Sequence, residues 1–530
     1  MQNDSFIRSL KAKFSDGQMN RRQFITTAMA AGVTAASANS IASAVEAATP
    51  KMGGFLKAGF GFGATTDTLD PCQFAGDLQL CMSFSFNGYL TEVGVDGNVV
   101  PGIAESWEST PDAKKWTFKV RQGAEFHDGQ TVTSTDCVAS LNFHRDEKSK
   151  SSAASLLSEI TDITINDKRT FTVTLDNGNA DFPFILTDYH LTVAKALGDS
   201  IDWQSGIGCG AYKLDNFEPG VSLELSRYQN SWKKTYLDGA QMLTILDGNA
   251  RTNAILTKGV DIIDRVEAKI AKRLSAAPEV NLIQTDGTQH YTFPMFCDVD
   301  PYDKLDVRLG LKYGINRQEM VDKILFGYGA VGNDIPLSRS QQFYNSEIPQ
   351  RSYDPEKAKY YFKKAGVLGN TFKLSAADAA FSGAVDAALL IQNSMKPAGI
   401  NVEVNRVPND GYWSNVWNQV PWCASVWGGR PTADLMFTTA YKGGASWNES
   451  HWSNNRFDEL LIQARTELDD KKRGQMYGEM QQILWDDGGA LIPMFASYLA
   501  AVTNSVGMLE RRASNWDLDG GRWMERWWRT

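Results

Sequence analysis

Val100-Pro101-Gly102-Ile103-Ala104-Glu105-Ser106-Trp107, followed by Trp116-Thr117-Phe118-Lys119-Val120-Arg121 and Phe126-His127-Asp128-Gly129, is the stretch on which the fold turns. Its middle segment alternates, with Trp116, Phe118 and Val120 on one face and Thr117, Lys119 and Arg121 on the other. That is the period of a strand with one buried side. The same period returns at Phe171/Val173/Leu175 and Val221/Leu223/Leu225. Further along, the period becomes helical. Asp354-Pro355-Glu356 offers an N-cap, a proline at the first helical position and an early acid; Ala358, Tyr361, Phe362 and Ala365 follow, and Gly366 stops the run. Phe457, Leu460, Leu461, Ala464 and Leu468 trace a second stripe. Asp469-Asp470 precede a third through Tyr477, Met480, Ile483 and Leu484. These stripes are packing surfaces and carry no chemistry. The first half is strand-rich and the second helix-rich, so an α/β chain with two lobes of different build is expected. At 530 residues the chain is too long for one core. No solenoid or propeller repeat is visible.

Composition is that of a globular protein, 42% hydrophobic and 22% charged. The net charge of −9 argues against a nucleic-acid partner. The first fifty residues stand apart. A polar stretch leads to Asn20-Arg21-Arg22-Gln23-Phe24-Ile25, then an Ala-rich run from Ala28 to Val45 with small residues at Ala42-Ser43-Ala44 and Ala47-Ala48. That order predicts an export signal over 1–47, and the arginine pair resembles the twin-arginine type. An N-terminal amphipathic helix or a transit peptide is the alternative. Without those residues the chain keeps 48 basic and 59 acidic residues, a charge of −11. No lipobox cysteine follows the apolar run, so a freely soluble periplasmic protein is expected. Six cysteines in an exported chain allow up to three disulfides. Cys72 and Cys81, eight residues apart in the chain, are the most local pair, and isolated buried thiols are the alternative.

Enzyme motifs are missing. There is no G-x-x-x-x-G-K-[ST], G-x-S-x-G, H-E-x-x-H or C-x-x-C, and no two of the five histidines lie within ten residues of each other. No catalytic residue, metal site or cofactor is therefore expected. Gly59-Phe60-Gly61-Phe62-Gly63 lacks the lysine of a phosphate loop and reads as a strand-to-loop turn; Phe62 is counted among the candidate ligand-binding residues.

Tryptophan is the outlier. Six of fifteen fall between 413 and 452. Trp413 and Trp417 fall on one helical face and are assigned to packing. Trp422, Trp427, Trp447 and Trp452 lie among glycines, prolines and polar residues, where large aromatics make walls for a ligand pocket. Within the run from Val420 to Asp434, the pair Gly428-Gly429 lets backbone approach a ligand. Arg430 can grip a carboxylate with its fork, or pair with Asp434.

Several segments together resemble the family 5 extracellular solute-binding proteins, the class with oligopeptide, dipeptide and nickel binders. The opening stretch is similar to that family's "PGLAESW … FkLR … FhDG" signature, with Asp136 at its continuation. Gly208-Cys209-Gly210-Ala211-Tyr212 resembles its "GTGPY" turn. Asp306-Val307-Arg308 to Asn316-Arg317 and Tyr353-Asp354-Pro355-Glu356-Lys357-Ala358 to Ala365-Gly366 resemble two later motifs. The resemblance implies a two-lobed, clamshell (type II) periplasmic binding fold. Lobe I would comprise 48–85, 205–290 and 487–530, with an inserted subdomain at 86–204, and lobe II would comprise 291–486. It also implies a monomer that hands its ligand to an ABC permease in the inner membrane.

In peptide-binding relatives the segment matching Trp422-Cys423-Ala424 continues with an Asp that holds the peptide's ammonium group. Here Ser425 stands in that place, Asp434 is the nearest acid and Arg430 is an added cation. The expected ligand is a peptide or a related zwitterion. The alternative is an onium solute such as a betaine or dimethylsulfoniopropionate, held by Trp427 and Trp447 through cation–π contact. A periplasmic cofactor enzyme is a third, remoter reading, and nickel binding is not expected. The candidate site is thus Trp427, Arg430, Trp422, Trp447, Ser425, Gly428, Gly429, Asp434 and Phe62.

Overall fold

The computed structural model describes residues 19–31 and 49–530, except 147, 148, 199 and 431, together with residues 10, 13, 33, 34 and 38. The alternating segment becomes the strand Lys115–Val120 inside a four-stranded antiparallel sheet, in the order Ala104–Ser109, Lys115–Val120, Thr170–Leu175, Ile160–Asp167. Trp116, Phe118, Val120, Phe171, Val173 and Leu175 all face one core, where Phe118 stacks on Phe171 at 5.4 Å. Gly102 is required before this sheet, because a Cβ there would meet the Tyr89 carbonyl oxygen at 2.3 Å. The opening motif therefore serves packing.

A larger nine-stranded sheet organises the rest. Its order is Tyr212–Glu218, Ser222–Arg227, Gly239–Thr244, Phe55–Phe60, Ile262–Ile263, Ala490–Thr503, Val280–Pro294, Ser425–Trp427, with Gly329–Val331 also on Ala490–Thr503. Val221 falls just outside its expected strand and is exposed, whereas Leu223 and Leu225 are buried as their alternation requires. Phe55–Phe60 runs parallel to both of its neighbours. The two longest strands, Val280–Pro294 and Ala490–Thr503, pair antiparallel and pass from one lobe into the other. At one end they contribute Ile283, Ala500 and Val502 to a core with Leu56, Phe60, Met242 and Trp523. At the other, Phe293, Leu491 and Met494 join a core with Phe362, Leu374 and Ile391. Their register breaks between Asp286 and His290, where a Cβ on Gly287 would strike the Ala496 carbonyl at 2.3 Å. The chain crosses between lobes at this break, where the ladder is weakest.

The second lobe is largely helical. Asp354 caps the helix Pro355–Lys364 by accepting from the Lys357 amide at 2.8 Å, and Gly366 leaves the helix at φ +73°. The helices Ala433–Ala440, Asn455–Thr466 and Asp470–Asp487 enclose a separate core with Phe437, Phe457, Tyr477 and Met480. Leu468 falls outside that core, because Glu467 is extended and Asp469 already caps the next helix. All six cysteines are free thiols, so the local Cys72–Cys81 bridge is not formed. Arg21–Ala30 is a helix whose Asn20 cap and Gln23 form a capping box. Most of the expected apolar run, and its cleavage residues 42–44 and 47–48, lie outside the described residues. Among the described residues no helix is long and apolar enough to cross a membrane.

Candidate functional site

Three parts of the chain converge on one cleft. Phe184, Thr187 and Asp188 come from the end of the four-stranded subdomain, Ser514, Asn515 and Trp516 from the first lobe, and Gly428, Gly429 and Arg430 from the second. The cleft encloses about 970 Å³, its open mouth included. Thr288, beside the register break, forms part of its floor.

Arg430 enters this cleft from the loop after the strand Ser425–Trp427. Gly429 makes that loop possible: its φ is +77°, and a Cβ would meet Thr288 Oγ1 at 2.3 Å. Gly428 has no such constraint, with open space around its Cβ direction. Gln341 Nε2 donates to the Arg430 carbonyl at 3.1 Å and pins the turn. The guanidinium lies 5.2 Å from the Trp427 ring centroid, and Nη1 donates to the Gly429 carbonyl at 2.7 Å. Burial lowers the Arg430 pKa, and no ion pair among the described residues includes it. It is a half-buried cation without a counter-charge.

The alternative pairing with Asp434 does not occur. Asp434 is buried at the start of the helix Ala433–Ala440, and Arg465 holds it with Nη2 at 2.7 Å and Nε at 3.2 Å. That carboxylate is spent on structure, so the structure takes Asp434 out of the ligand set. Trp422 likewise leaves the pocket wall. It is 1% exposed in the second-lobe core, 6.1 Å from Tyr302. Phe62 stays with the first lobe, with Arg265 at 5.4 Å over its ring, and is not brought to the Arg430 loop.

Ser425, Trp427 and Trp447 do come together. Ser425 is buried with no partner for its hydroxyl. Trp447 is half-exposed and lies 6.0 Å from Trp427. Sequence reasoning missed the group that joins them. Glu449 is 3% exposed and accepts from Trp427 Nε1 at 2.9 Å, Trp417 Nε1 at 2.6 Å and Thr292 Oγ1 at 2.7 Å. Trp417 was assigned to a helical packing face, but the helix is only Tyr412–Asn415, so its indole is free to reach that acid. The available signal was an acid two residues after Trp447. Burial, with the Glu449 charge adding to it, pushes the Cys423 thiol and the Tyr412 and Tyr441 hydroxyls up.

Two lobes joined by a pair of long strands, with a ligand-sized cleft between them, define a two-lobed solute-binding protein. Residues 98–449 match the model of the bacterial extracellular solute-binding proteins, family 5 (middle). The chain belongs to that family, whose members are binding components of importers rather than enzymes. It is similar to the dipeptide-binding protein of Escherichia coli (strain K12), at 23% identity over 452 residues, covering 77% of this chain and 83% of that one. Among solved structures it is similar to AgaA of A. tumefaciens R10 in complex with agropinic acid, at 25% identity and a TM-score of 0.67, covering 90% of this chain and 99% of that one. The unliganded open form of the periplasmic murein tripeptide-binding protein MppA superposes with a TM-score of 0.80 at 21% identity, over 89% of this chain and 97% of that one.

Proposed function

We propose that the chain is the periplasmic substrate-binding component of an ABC importer, and that it captures a peptide or a related amino-acid-like zwitterion for its permease. The observation that carries the ligand reading is Arg430, a half-buried guanidinium lining the interlobe cleft with no carboxylate of the protein paired to it. A ligand carboxylate is the group that completes it. The names of the similar proteins, which include a dipeptide binder and a complex with agropinic acid, support a zwitterionic ligand. An onium cage is supported less, because the protein's own Arg430 already stands 5.2 Å from the Trp427 ring. In this reading 48–85, 205–290 and 487–530 form lobe I, 86–204 its inserted subdomain and 291–486 lobe II, with closure about the break at 286–290. Export by the twin-arginine route is part of the proposal, with Arg21 and Arg22 opening a capped helix. Replacing both by lysine would then leave the chain in the cytoplasm.

The test is calorimetric titration with dipeptides, glycine betaine and dimethylsulfoniopropionate. Dipeptide binding that loses roughly 1.5–3 kcal/mol in Arg430→Ala supports the reading. An unchanged dissociation constant removes Arg430 from the site, and binding of the onium solutes alone replaces the peptide reading.

A further inference from the structure

The strand face that descends from the cleft carries polar groups that the protein leaves incomplete. In register, Thr292 stands opposite Ser425 and His290 opposite Trp427, so all four side chains share one face. Glu449 reaches that face from its loop. Its Oε1 takes the Thr292 and Trp427 donors, while Oε2 takes only Trp417. All three donors are neutral, and no ion pair among the described residues includes Glu449. A buried carboxylate without a counter-charge is strongly unfavourable.

Its neighbours are incomplete as well. Ser425 Oγ and His290 Nε2 have no partner, although Ser425 is 1% and His290 0% exposed. His290 Nδ1 lies 3.1 Å from the Thr288 carbonyl, which places the ring proton on Nδ1 and leaves a lone pair on Nε2. Burial pulls the His290 pKa down to about 4, with Arg430 acting in the same direction, so the imidazole is neutral at pH 7. A negative charge, a hydroxyl oxygen and an imidazole lone pair are together the complement of one group, an ammonium with three N–H donors. A quaternary onium has no N–H to offer them.

We propose that Glu449, Ser425 and His290 seat the protonated primary amine of the ligand, at the opposite end from the carboxylate on Arg430. This rests on the reading above that Arg430 takes that carboxylate. The cleft leads to this seat: Thr288 and Gly428 line it, and they lie two residues from His290 and one from Trp427. The spacing also bears on ligand size. Glu449 meets the Nε1 edge of Trp427 at 2.9 Å and Arg430 lies 5.2 Å from its ring centroid, so the two charges are separated by one indole. Two extended residues span about 7 Å, the scale of that separation, and a single α-amino acid is too short.

The experiment titrates the wild type, Glu449→Gln and Ser425→Ala with L-alanyl-L-alanine, N-acetyl-L-alanyl-L-alanine and glycine betaine. Glu449→Gln is expected to weaken the free dipeptide by about 30-fold and Ser425→Ala by about 5-fold, with the acetylated form bound weakly and alike by all three proteins. Ser425→Ala removes a hydroxyl that has no partner, so it folds at least as well as the wild type and decides the matter if Glu449→Gln does not fold. Both variants binding the dipeptide as the wild type does would overturn the ammonium seat and leave the zwitterion reading standing. Equal affinity of the wild type for acetylated and free dipeptide would do the same. A wild type that binds glycine betaine alone, or none of the three, would overturn the reading beneath it.

Discussion

Replacing Arg473 by methionine should expose how the subdomain is held to the second lobe. Arg473 lies in the helix Asp470–Asp487 with 5% of its side chain exposed, and Nη2 donates to Asp181 Oδ1 at 2.6 Å. Asp181, 9% exposed, belongs to the subdomain, so the bond spans two separate cores. Methionine keeps the apolar stem that packs near Phe343 and Tyr477 but leaves Asp181 buried without a counter-charge. Losing one partner of such a pair costs about 3–5 kcal/mol. The carboxylate has one escape. Burial already raises the Asp181 pKa, Arg473 opposes that rise, and Asp434 adds to it. Without Arg473 the pKa climbs further, so the penalty is full while Asp181 is ionised and is relieved as pH falls through its raised value. Urea denaturation should therefore show a deficit of about 3 kcal/mol at pH 7 and a smaller one at pH 5. Asp181→Asn in the same chain should recover about 2 kcal/mol of it. A coupling below about 0.5 kcal/mol in that cycle, or a deficit independent of pH, would refute the reasoning.

Three further outcomes follow from the same geometry. Lys312 is fully buried, donates to the Gly488 carbonyl at 2.7 Å, and has its pKa pulled down to about 7 by burial against the pull of Asp334. The unfolded chain keeps that proton up to its ordinary range, so Lys312 makes stability rise from pH 7 towards pH 10, by about 5 kcal/mol if completed; Lys312→Met should flatten the rise relative to the wild type. Gly429→Ala should cost at least tenfold in dipeptide affinity, roughly 1.4 kcal/mol, by displacing Arg430, while Gly428→Ala should leave affinity unchanged in the same titration. Thiol titration should count six free cysteines in denaturant without reductant, with the half-buried Cys297 reacting first in the native chain.

What the sequence discloses follows from how local each cause is. The strand at 115–120 and the helix at 355–364 rest on periodicity and on a cap within three residues, and both formed where expected. Leu468 went astray because Asp469 starts a new helix and overrides the stripe. In the site, the Gly429 turn and the free Arg430 were legible, since a glycine pair before an arginine has few other uses. Asp434 was misread because its partner Arg465 lies 31 residues away and only the fold brings them together. Glu449 was invisible for the same reason: its donors come from residues 292, 417 and 427, on three separate segments. Trp422 differs from Trp427 only in which side of the sheet edge it faces, and its loop-like neighbours concealed a core position.

The central claim is that a zwitterion lies between the lobes with its carboxylate on Arg430. A crystal structure of the chain grown with L-alanyl-L-alanine tests it most directly. The account predicts the dipeptide in the interlobe cleft, its carboxylate within about 3 Å of the Arg430 guanidinium and its amine directed down the strand face toward Glu449. A dipeptide bound with its carboxylate on another residue, or outside the cleft, would contradict it.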